Sequence, residues 1–459
     1  MKKTLSAALV ALLALFMAVG SFPVSAKTVF ESQNSSAGPC WQVPSGYNEH
    51  DYVKCVTFLE LTDENGRKNG TKVTSGYDPD DPTTWGSTWA GDFFAWVEVQ
   101  GEKRISSIDI SDRELIGALD LSGCTELTEL RMSDNHITGL DVSDCSALIK
   151  VNANWNSITE IDLTGCTALE HLYVSYNELV ELDVSFCPSL EYLTCYSNRL
   201  TELDVSYCPN LTDLFCHLNG LFELDLSNNP ALSELDCSFN ALTSLDLSRN
   251  TALTKLFATG NSLTEIDVSI CPGLLEFDCG SNELTAIDVS ANPALVMLNC
   301  SDNCIAELDL SNNPQLAYDS LTAQGSGYIG YSFVRRYHGD YGWLYARPID
   351  GAEFEGFYDE AGTLISDGEW SNSDEAFVYY FDEVCTGAVF ARFTASSPVP
   401  GDIDNSGSVS VSDAITALRV AMQIMDASGL NLSNADMDGN GTVSISDAVV
   451  IMRMAMGLA

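Results

Sequence analysis

Two acidic segments near the C-terminus match each other at a spacing of 34 residues: Asp402-Ile403-Asp404-Asn405-Ser406-Gly407-Ser408-Val409-Ser410-Val411-Ser412-Asp413 and Asp436-Met437-Asp438-Gly439-Asn440-Gly441-Thr442-Val443-Ser444-Ile445-Ser446-Asp447. Each places oxygen-bearing side chains at alternate positions and closes on an aspartate. A calcium ion takes about six to eight oxygen ligands, and a twelve-residue loop of this kind supplies them, with a mid-loop glycine permitting the sharp turn. The side-chain ligands expected are Asp402, Asp404, Ser406 and Asp413 in the first loop, and Asp436, Asp438, Asn440 and Asp447 in the second. Ser408 and Thr442 are placed to offer backbone carbonyls, and Ser410 and Ser444 to act through water. Ser406 carries no charge, so the first of the two ions is expected to bind more weakly.

These loops need elements to hold them. Each runs into an apolar helix, expected near Ala414–Met425 and Ala448–Met456, while the Pro-containing stretch before the first loop leaves no room for an entering helix. The duplicated loop-plus-helix over Gly401–Ala459 resembles a type I dockerin. The resemblance implies attachment to the cohesin modules of a cellulosome scaffolding protein. Cohesin contact is then expected from Val411, Ser412, Leu418 and Arg419, and from Ile445, Ser446, Met452 and Arg453. Because the halves nearly repeat one another, docking in either of two orientations is implied.

Most of the remaining chain is periodic. Aspartate recurs every 21 residues from Asp120 to Asp309, and asparagine keeps the same step from Asn135 to Asn303. Apolar residues hold the places between, as in Leu193-Thr194-Cys195-Tyr196-Ser197-Asn198-Arg199-Leu200. This pattern looks like a leucine-rich repeat solenoid from Ile105 to about Leu316. Alternate residues such as Leu193 and Cys195 would point inward from short parallel strands stacked about 4.8 Å apart. The asparagine amide is suited to satisfying backbone groups buried by the turn. The Asp-x-Ser step suits a local side-chain-to-backbone bond, which is favoured over a cation-bridged aspartate ladder.

The 15 cysteines mostly fall into two columns of that stack. Cys195, Cys216, Cys237, Cys279 and Cys300 share an inward strand position with Met132 and Val174. Cys124, Cys145, Cys166, Cys187, Cys208 and Cys271 share a turn position with Asn229, Asn250, Asn292 and Asn313, which predicts a tight slot. Buried, inert thiols are the expectation for both. Cys40 and Cys55 lie outside the columns and are candidates for a small disulfide.

The expected organisation is multidomain. Residues 1–26 read as a secretory signal peptide, with Lys2 and Lys3, an apolar run and Val24-Ser25-Ala26. An N-terminal cap spans 27–104, with a helix over Asp51–Leu61 and an aromatic strand over Phe93–Val99, similar to the helix-then-strand caps of other secreted leucine-rich repeat proteins. Its Asp78, Asp80 and Asp81 read as a surface turn more readily than a cation site. The solenoid occupies 105–318, a small β-rich module 319–395, a linker 396–400 and the α-helical, calcium-binding dockerin 401–459. The module is similar to small β-repeat modules beside bacterial leucine-rich repeats, on Ala346-Arg347-Pro348, Gly356-Phe357-Tyr358-Asp359 and Phe390-Ala391-Arg392-Phe393.

A net charge of −44 argues against a nucleic-acid partner. The sequence holds no H-E-x-x-H, no G-x-S-x-G and no phosphate-binding glycine loop, so catalysis is not expected. The exposed strand positions of the solenoid, its concave face, are instead expected to carry Trp155, Tyr173, Tyr176, Tyr192, Tyr196, Phe215, His217, Phe239 and Phe257, a candidate ligand face. The reading is therefore a secreted, non-catalytic, cellulosome-associated subunit whose repeats recognise a protein or glycan. The alternative, an enzyme of polysaccharide degradation, rests only on what other dockerin-bearing proteins do.

Overall fold

The computed structural model describes residues 41–88, 91–316, 318, 320–324, 327–334, 341–348, 352–371, 376–381, 387–393, 403, 409–422, 435–437 and 442–456. The signal-peptide segment, Cys40 and the linker 396–400 lie outside them. The fold is a β-solenoid of about nine turns with a repeat of about 21 residues. The chain forms two compact units, one through Leu274 and one from Leu275 onward.

In the first unit the repeat is built on strands of only three residues. Lys150–Asn152, His171–Tyr173, Tyr192–Thr194, Asp213–Phe215, Glu234–Asp236 and Lys255–Phe257 pair in parallel and in strict register. The middle residue of each is wholly buried (Val151, Leu172, Leu193, Leu214, Leu235, Leu256), as is the residue just beyond the strand, among them Val174, Cys195, Cys216 and Cys237. One turn could not bury these side chains alone; the stack does.

The asparagine column stitches neighbouring turns. Asn198 Nδ2 donates to the carbonyls of Val174, 2.9 Å away, and Cys195, 3.0 Å away, while its Oδ1 accepts from Leu179 N–H at 3.0 Å. Asn156, Asn177, Asn219 and Asn240 make the same three contacts. Backbone groups left over by the turn are thereby satisfied where they are shielded from water, wholly around Asn177 and Asn240 and in part around Asn156, Asn198 and Asn219.

The turn slot shared by cysteine and asparagine is explained by one acceptor. Cys145 Sγ donates to Leu121 O and Cys166 Sγ to Val142 O, both at 3.1 Å, and Cys208 Sγ to Val184 O at 3.7 Å. Asn229 and Asn250 donate to the equivalent carbonyls of Val205 and Leu226. The common property is thus a compact donor. Burial pushes the thiols of Cys145, Cys166, Cys187 and Cys208 up to about 12, which keeps them protonated and able to donate. Among the described residues no cysteine is joined in a disulfide. Cys208→Asn should therefore hold stability within about 1 kcal/mol, since the new amide regains the donor but brings an unmatched Oδ1, as in Asn229 and Asn250. Cys208→Ala should lose about 1–2 kcal/mol. Urea midpoints of the two variants would check this ordering.

The aspartate column makes local turns throughout. In all ten repeats from Asp120 to Asp309, Oδ1 accepts the N–H two residues on at 2.8–3.0 Å, Thr164 replacing serine once. These bonds from serine hold the carboxyls of Asp204, Asp225, Asp246, Asp288 and Asp309 below the usual value. Burial moves Asp141 the other way. A depressed folded-state pKa gives stability that is present above the unfolded value, near 4, and lost as pH falls through the folded value. Six lowered groups, Asp236 included, outweigh the raised Asp141 and Glu160, so the urea midpoint of the solenoid should fall steadily below about pH 4. A midpoint that is flat or rises on acidification would contradict this.

The first unit is closed by helix α1, Glu49–Leu59, and the short α2, Asn69–Val73. Helix α1 starts two residues before the expected Asp51 because Asn48 caps it, accepting from Asp51 N–H. Asp51 is wholly buried and takes Arg104 at 2.7 and 3.1 Å and Ile105 N–H at 3.0 Å, locking the helix to the first long strand, Glu102–Asp109. Cys55 is a free thiol facing the core, which sets aside its expected pairing with Cys40. Asp78, Asp80 and Asp81 accept backbone N–H groups of Asp80, Gln42 and Thr83, so they build a turn.

In the second unit, Glu276–Asp278 and Met297–Asn299 pair in parallel. The β-rich segment is then added antiparallel onto these turns. Gly327–Val334 pairs with Met297–Asn299, Tyr341–Pro348 follows, then Ala376–Phe381 and Glu369–Ser371. A second sheet starts from Glu307–Asp309 and runs through Ser320–Gln324, Ala388–Phe393, Phe354–Tyr358 and Leu364–Ser366. The segment thus covers an open sheet edge, as a solenoid end requires. Two further helices, α3 (Val411–Ala421) and α4 (Ile445–Ala455), pack on each other. No helix of the described residues is long and apolar enough to cross a membrane.

Candidate functional site

The outward aromatics form two connected series in the first unit. Trp155 stacks on Tyr176 with centroids 3.6 Å apart, Tyr176 meets Tyr196 edge-on at 5.2 Å, and Tyr196 stacks on His217 at 4.2 Å. Beside it, Tyr173, Tyr192 and Phe215 follow at 5.2 and 5.6 Å. His217 Nδ1 lies 3.1 Å from Asp236 Oδ2. Desolvation raises the Asp236 carboxyl, but the hydrogen bond and charge of His217 and the bonds from Ser238 prevail and hold it low.

Only four of the nine expected residues lie on strands: Tyr192 at a first position, and Tyr173, Phe215 and Phe257 at third positions. Tyr196 and His217 lie just beyond. Trp155, Tyr176 and Phe239 occupy the next turn residue, at φ of 57°, 54° and 54°. This placement corrects the assignment of all nine to the strands; three-residue strands are too short to hold them. Left-handed backbone costs a bulky residue about 1 kcal/mol or more. The same column holds Gly260 at φ 70°, and the Phe239 ring lies where a Gly260 side chain would be, 2.6 Å from such a Cβ. Trp155 and Phe239 are about half exposed, so the strained column presents flat rings to solvent.

In the C-terminal loops the structure describes Asp413, Asp436, Thr442 and Asp447; Asp402, Asp404, Ser406, Ser408, Asp438 and Asn440 lie outside the described residues. Asp413 and Asp447 are buried and held alike. Asp413 accepts from Ile403 N–H at 2.8 Å and from Ser410 N–H and Oγ at 2.8 and 2.7 Å. Asp447 accepts from Met437 N–H at 2.9 Å and from Ser444 N–H and Oγ at 2.8 and 2.6 Å. Helices α3 and α4 begin three residues earlier than expected because Ser410 and Ser444 sit at their N-termini, Ser444 in a reciprocal capping box. Those hydroxyls bond the aspartates directly. A carboxylate has about four acceptor sites, so each aspartate can still face a cation. Two buried carboxylates closing oxygen-rich loops fit a hard divalent ion.

Val411, Leu418, Arg419, Ile445, Ser446 and Arg453 are exposed, whereas Met452 packs partly against the small core between α3 and α4. Nothing is described of the Ser412 side chain. The helices also expose Ile415 and Met422, and Val449 and Met456, which sequence reasoning missed. The signal was present: positions 411, 415, 418 and 422, and their partners 34 residues on, keep one helical face. A separate trio, His50, Asp51 and Cys124, is close enough to suggest a metal site, but Asp51 is held by Arg104 and the Cys124 thiol is pushed up by burial.

The family model of the type I dockerin domain matches residues 400–454, and that of the leucine-rich repeat matches residues 126–148. The chain is a leucine-rich repeat protein with a C-terminal type I dockerin domain. Among solved structures it is similar to the functional domain of InlJ from Listeria monocytogenes, described as including a cysteine ladder, at 36% identity over 50% of this chain and 52% of that one, with a TM-score of 0.46. It is also similar to the leucine-rich repeat protein LIC12759 of Leptospira interrogans, at 22% identity over 46% of this chain and 59% of that one (TM-score 0.42). YopM from Yersinia enterocolitica gives 26% identity over 46% and 50% (TM-score 0.37). The chain thus spans between 50% and 59% of the length of these three structures. No curated protein matches it.

Proposed function

We propose that this protein is a secreted, non-catalytic binding subunit, docked by its C-terminal domain to a cohesin of a cellulosome scaffold and using the aromatic solenoid face to hold a protein or glycan ligand. Two calcium ions would be held by Asp402, Asp404, Ser406 and Asp413, and by Asp436, Asp438, Asn440 and Asp447, with the carbonyls of Ser408 and Thr442. The ion supplies the charge that draws each loop closed; the chain's own Asp413 and Asp447 tie that loop to the start of α3 and α4. The exposed apolar rows Val411–Ile415–Leu418–Met422 and Ile445–Val449–Met456 then offer the cohesin a rigid surface.

The observation that carries the solenoid reading is the continuous ring series from Trp155 to His217, part of it kept in strained backbone. Such rings bring large rigid contact area with little entropy to lose. Replacing Tyr173, Tyr196 and Phe215 together with alanine should weaken ligand binding by about a hundredfold or more, with the melting of the solenoid shifted only slightly. The unmutated protein, assayed for turnover of plant cell-wall polymers, should be inactive; measurable hydrolysis would replace the binding role with an enzymatic one.

A further inference from the structure

The residues that share the aromatic face also specify the charge of what it holds. We propose that it takes a lysine- or arginine-bearing segment of a protein partner, with the cation seated between the rings of Tyr192 and Phe215 and the carboxylates of Asp213 and Glu234. The proposal rests on the reading of this face as the binding surface and names its ligand class.

Strand register places the groups. At the first strand position Tyr192, Asp213, Glu234 and Lys255 stand side by side, and at the third Thr194, Phe215, Asp236 and Phe257. Three carboxylates therefore share two adjacent strands, framed by rings. Neighbouring strands are about 4.8 Å apart, and like charges placed directly side by side destabilise a sheet. Two of the three are answered within the chain: Glu234 by Lys255 at 3.2 Å and Asp236 by His217 at 3.1 Å. Asp213 receives only the neutral hydroxyl of Thr212, at 2.6 Å, and no ion pair to it is found among the described residues. A cationic ligand would relieve the repulsion there.

A second feature points the same way. Thr194 lies in register between Tyr173 and Phe215, is 5% exposed, and its Oγ1 has no hydrogen-bond partner among the described residues. A buried hydroxyl without a partner costs stability and calls for an explanation, such as a group brought by a ligand. The face also carries its own example of a cation on a ring, since Lys150 Nζ sits 5.4 Å from the centroid of Tyr173. Burial and then Asp213 push the Tyr173 phenol up, and burial, Tyr173, Asp213 and Glu234 do the same to Tyr192. Both stay protonated and add no charge of their own.

A neutral sugar could stack on these rings but would leave Asp213 unanswered, and an anionic polymer would add to the repulsion. A lysine or arginine side chain answers both surfaces, laying its aliphatic stem on rings and its charge against carboxylates. The net charge of −44 would steer such a partner in.

The test is calorimetric titration of the full chain, calcium present, with pentalysine and with cellopentaose. Pentalysine should bind, lose affinity as salt rises, and bind about tenfold more weakly to the Asp213→Asn/Glu234→Gln variant. An Asp204→Asn/Asp225→Asn variant, which removes equal charge from the turn column and can rebuild its turns, should stay within about twofold of the parent. Equal losses in the two variants would show diffuse attraction and overturn the proposal. Binding of cellopentaose that ignores Asp213→Asn/Glu234→Gln would overturn it in favour of a glycan. If the Tyr173, Tyr196 and Phe215 alanine variant loses binding while the charge variant does not, only the cation claim falls. If that aromatic variant binds as the parent does, the face itself is not the site.

Discussion

Stripping calcium from the full chain with a chelator should melt α3 and α4 and abolish cohesin binding, while the solenoid keeps its own cooperative transition. Among the described residues the buried part of the dockerin core is small: Ile403, Ala414, Ala417, Ala435, Ala448 and Ile451, four of the six being alanine. Domains of this size rarely fold on such a core without a metal or other staple. Without the ion, the buried carboxylates of Asp413 and Asp447 would have to keep their charge on hydrogen bonds alone. Binding of the ion is in that sense folding free energy; at a hundredfold excess over Kd it contributes about 2.7 kcal/mol per site. Asp413→Ala with Asp447→Ala should copy the chelator. The solenoid should not respond, because each aspartate of its column already holds a backbone N–H with Oδ1. Far-UV circular dichroism and cohesin capture, with and without chelator, would measure both parts. Helices that persist without calcium, or a solenoid melt that moves with it, would contradict this account.

What could be read in the sequence was whatever depends on spacing. The 21-residue period set the register of every turn, and the repeated loops set the dockerin, because both follow from position rather than from packing detail. The Asp-x-Ser turn was legible for the same reason: its partners lie two residues apart. What was not legible depends on partners a whole turn away. Cysteine and asparagine exchange in one column because both reach the carbonyl 24 residues earlier, a contact no local pattern displays. The left-handed column was missed because Trp155, Tyr176 and Phe239 mask a position whose nature is betrayed by Gly260, Asp134 and Asp302 in the same register. The starts of α3 and α4 were placed three residues late because they follow from the bonds of Ser410 and Ser444 to Asp413 and Asp447, not from where the apolar run begins. The β-rich segment read as a separate module, yet its strands extend the last turns, and only the pairing of Gly327–Val334 with Met297–Asn299 reveals it as a cover.

Asn240→Ala should destabilise the solenoid by about 2–4 kcal/mol, more than any exchange in the cysteine column. Asn240 is 5% exposed, and its side chain serves two turns at once. Nδ2 donates to Cys216 O at 3.2 Å and Cys237 O at 3.0 Å, and Oδ1 accepts from Leu221 N–H at 3.0 Å. Truncation leaves the Leu221 donor without a partner, at about 1–3 kcal/mol, and adds a small void. It also removes one of the two amide donors to each of Cys216 O and Cys237 O, where Asn219 and Asn261 still donate at 3.0 and 3.1 Å. Asn240→Asp should be no milder, since it restores the acceptor for Leu221 but turns a buried carboxylate oxygen toward three carbonyls, that of Ser238 included. In a stack where each turn touches only its neighbours, the damage is local before it is global. Hydrogen exchange should therefore quicken first at Leu221 and the amides around Cys216 and Cys237, and the urea transition should broaden or split. A single sharp transition displaced by less than about 1 kcal/mol would mean that the asparagine column ornaments the turns rather than joining them.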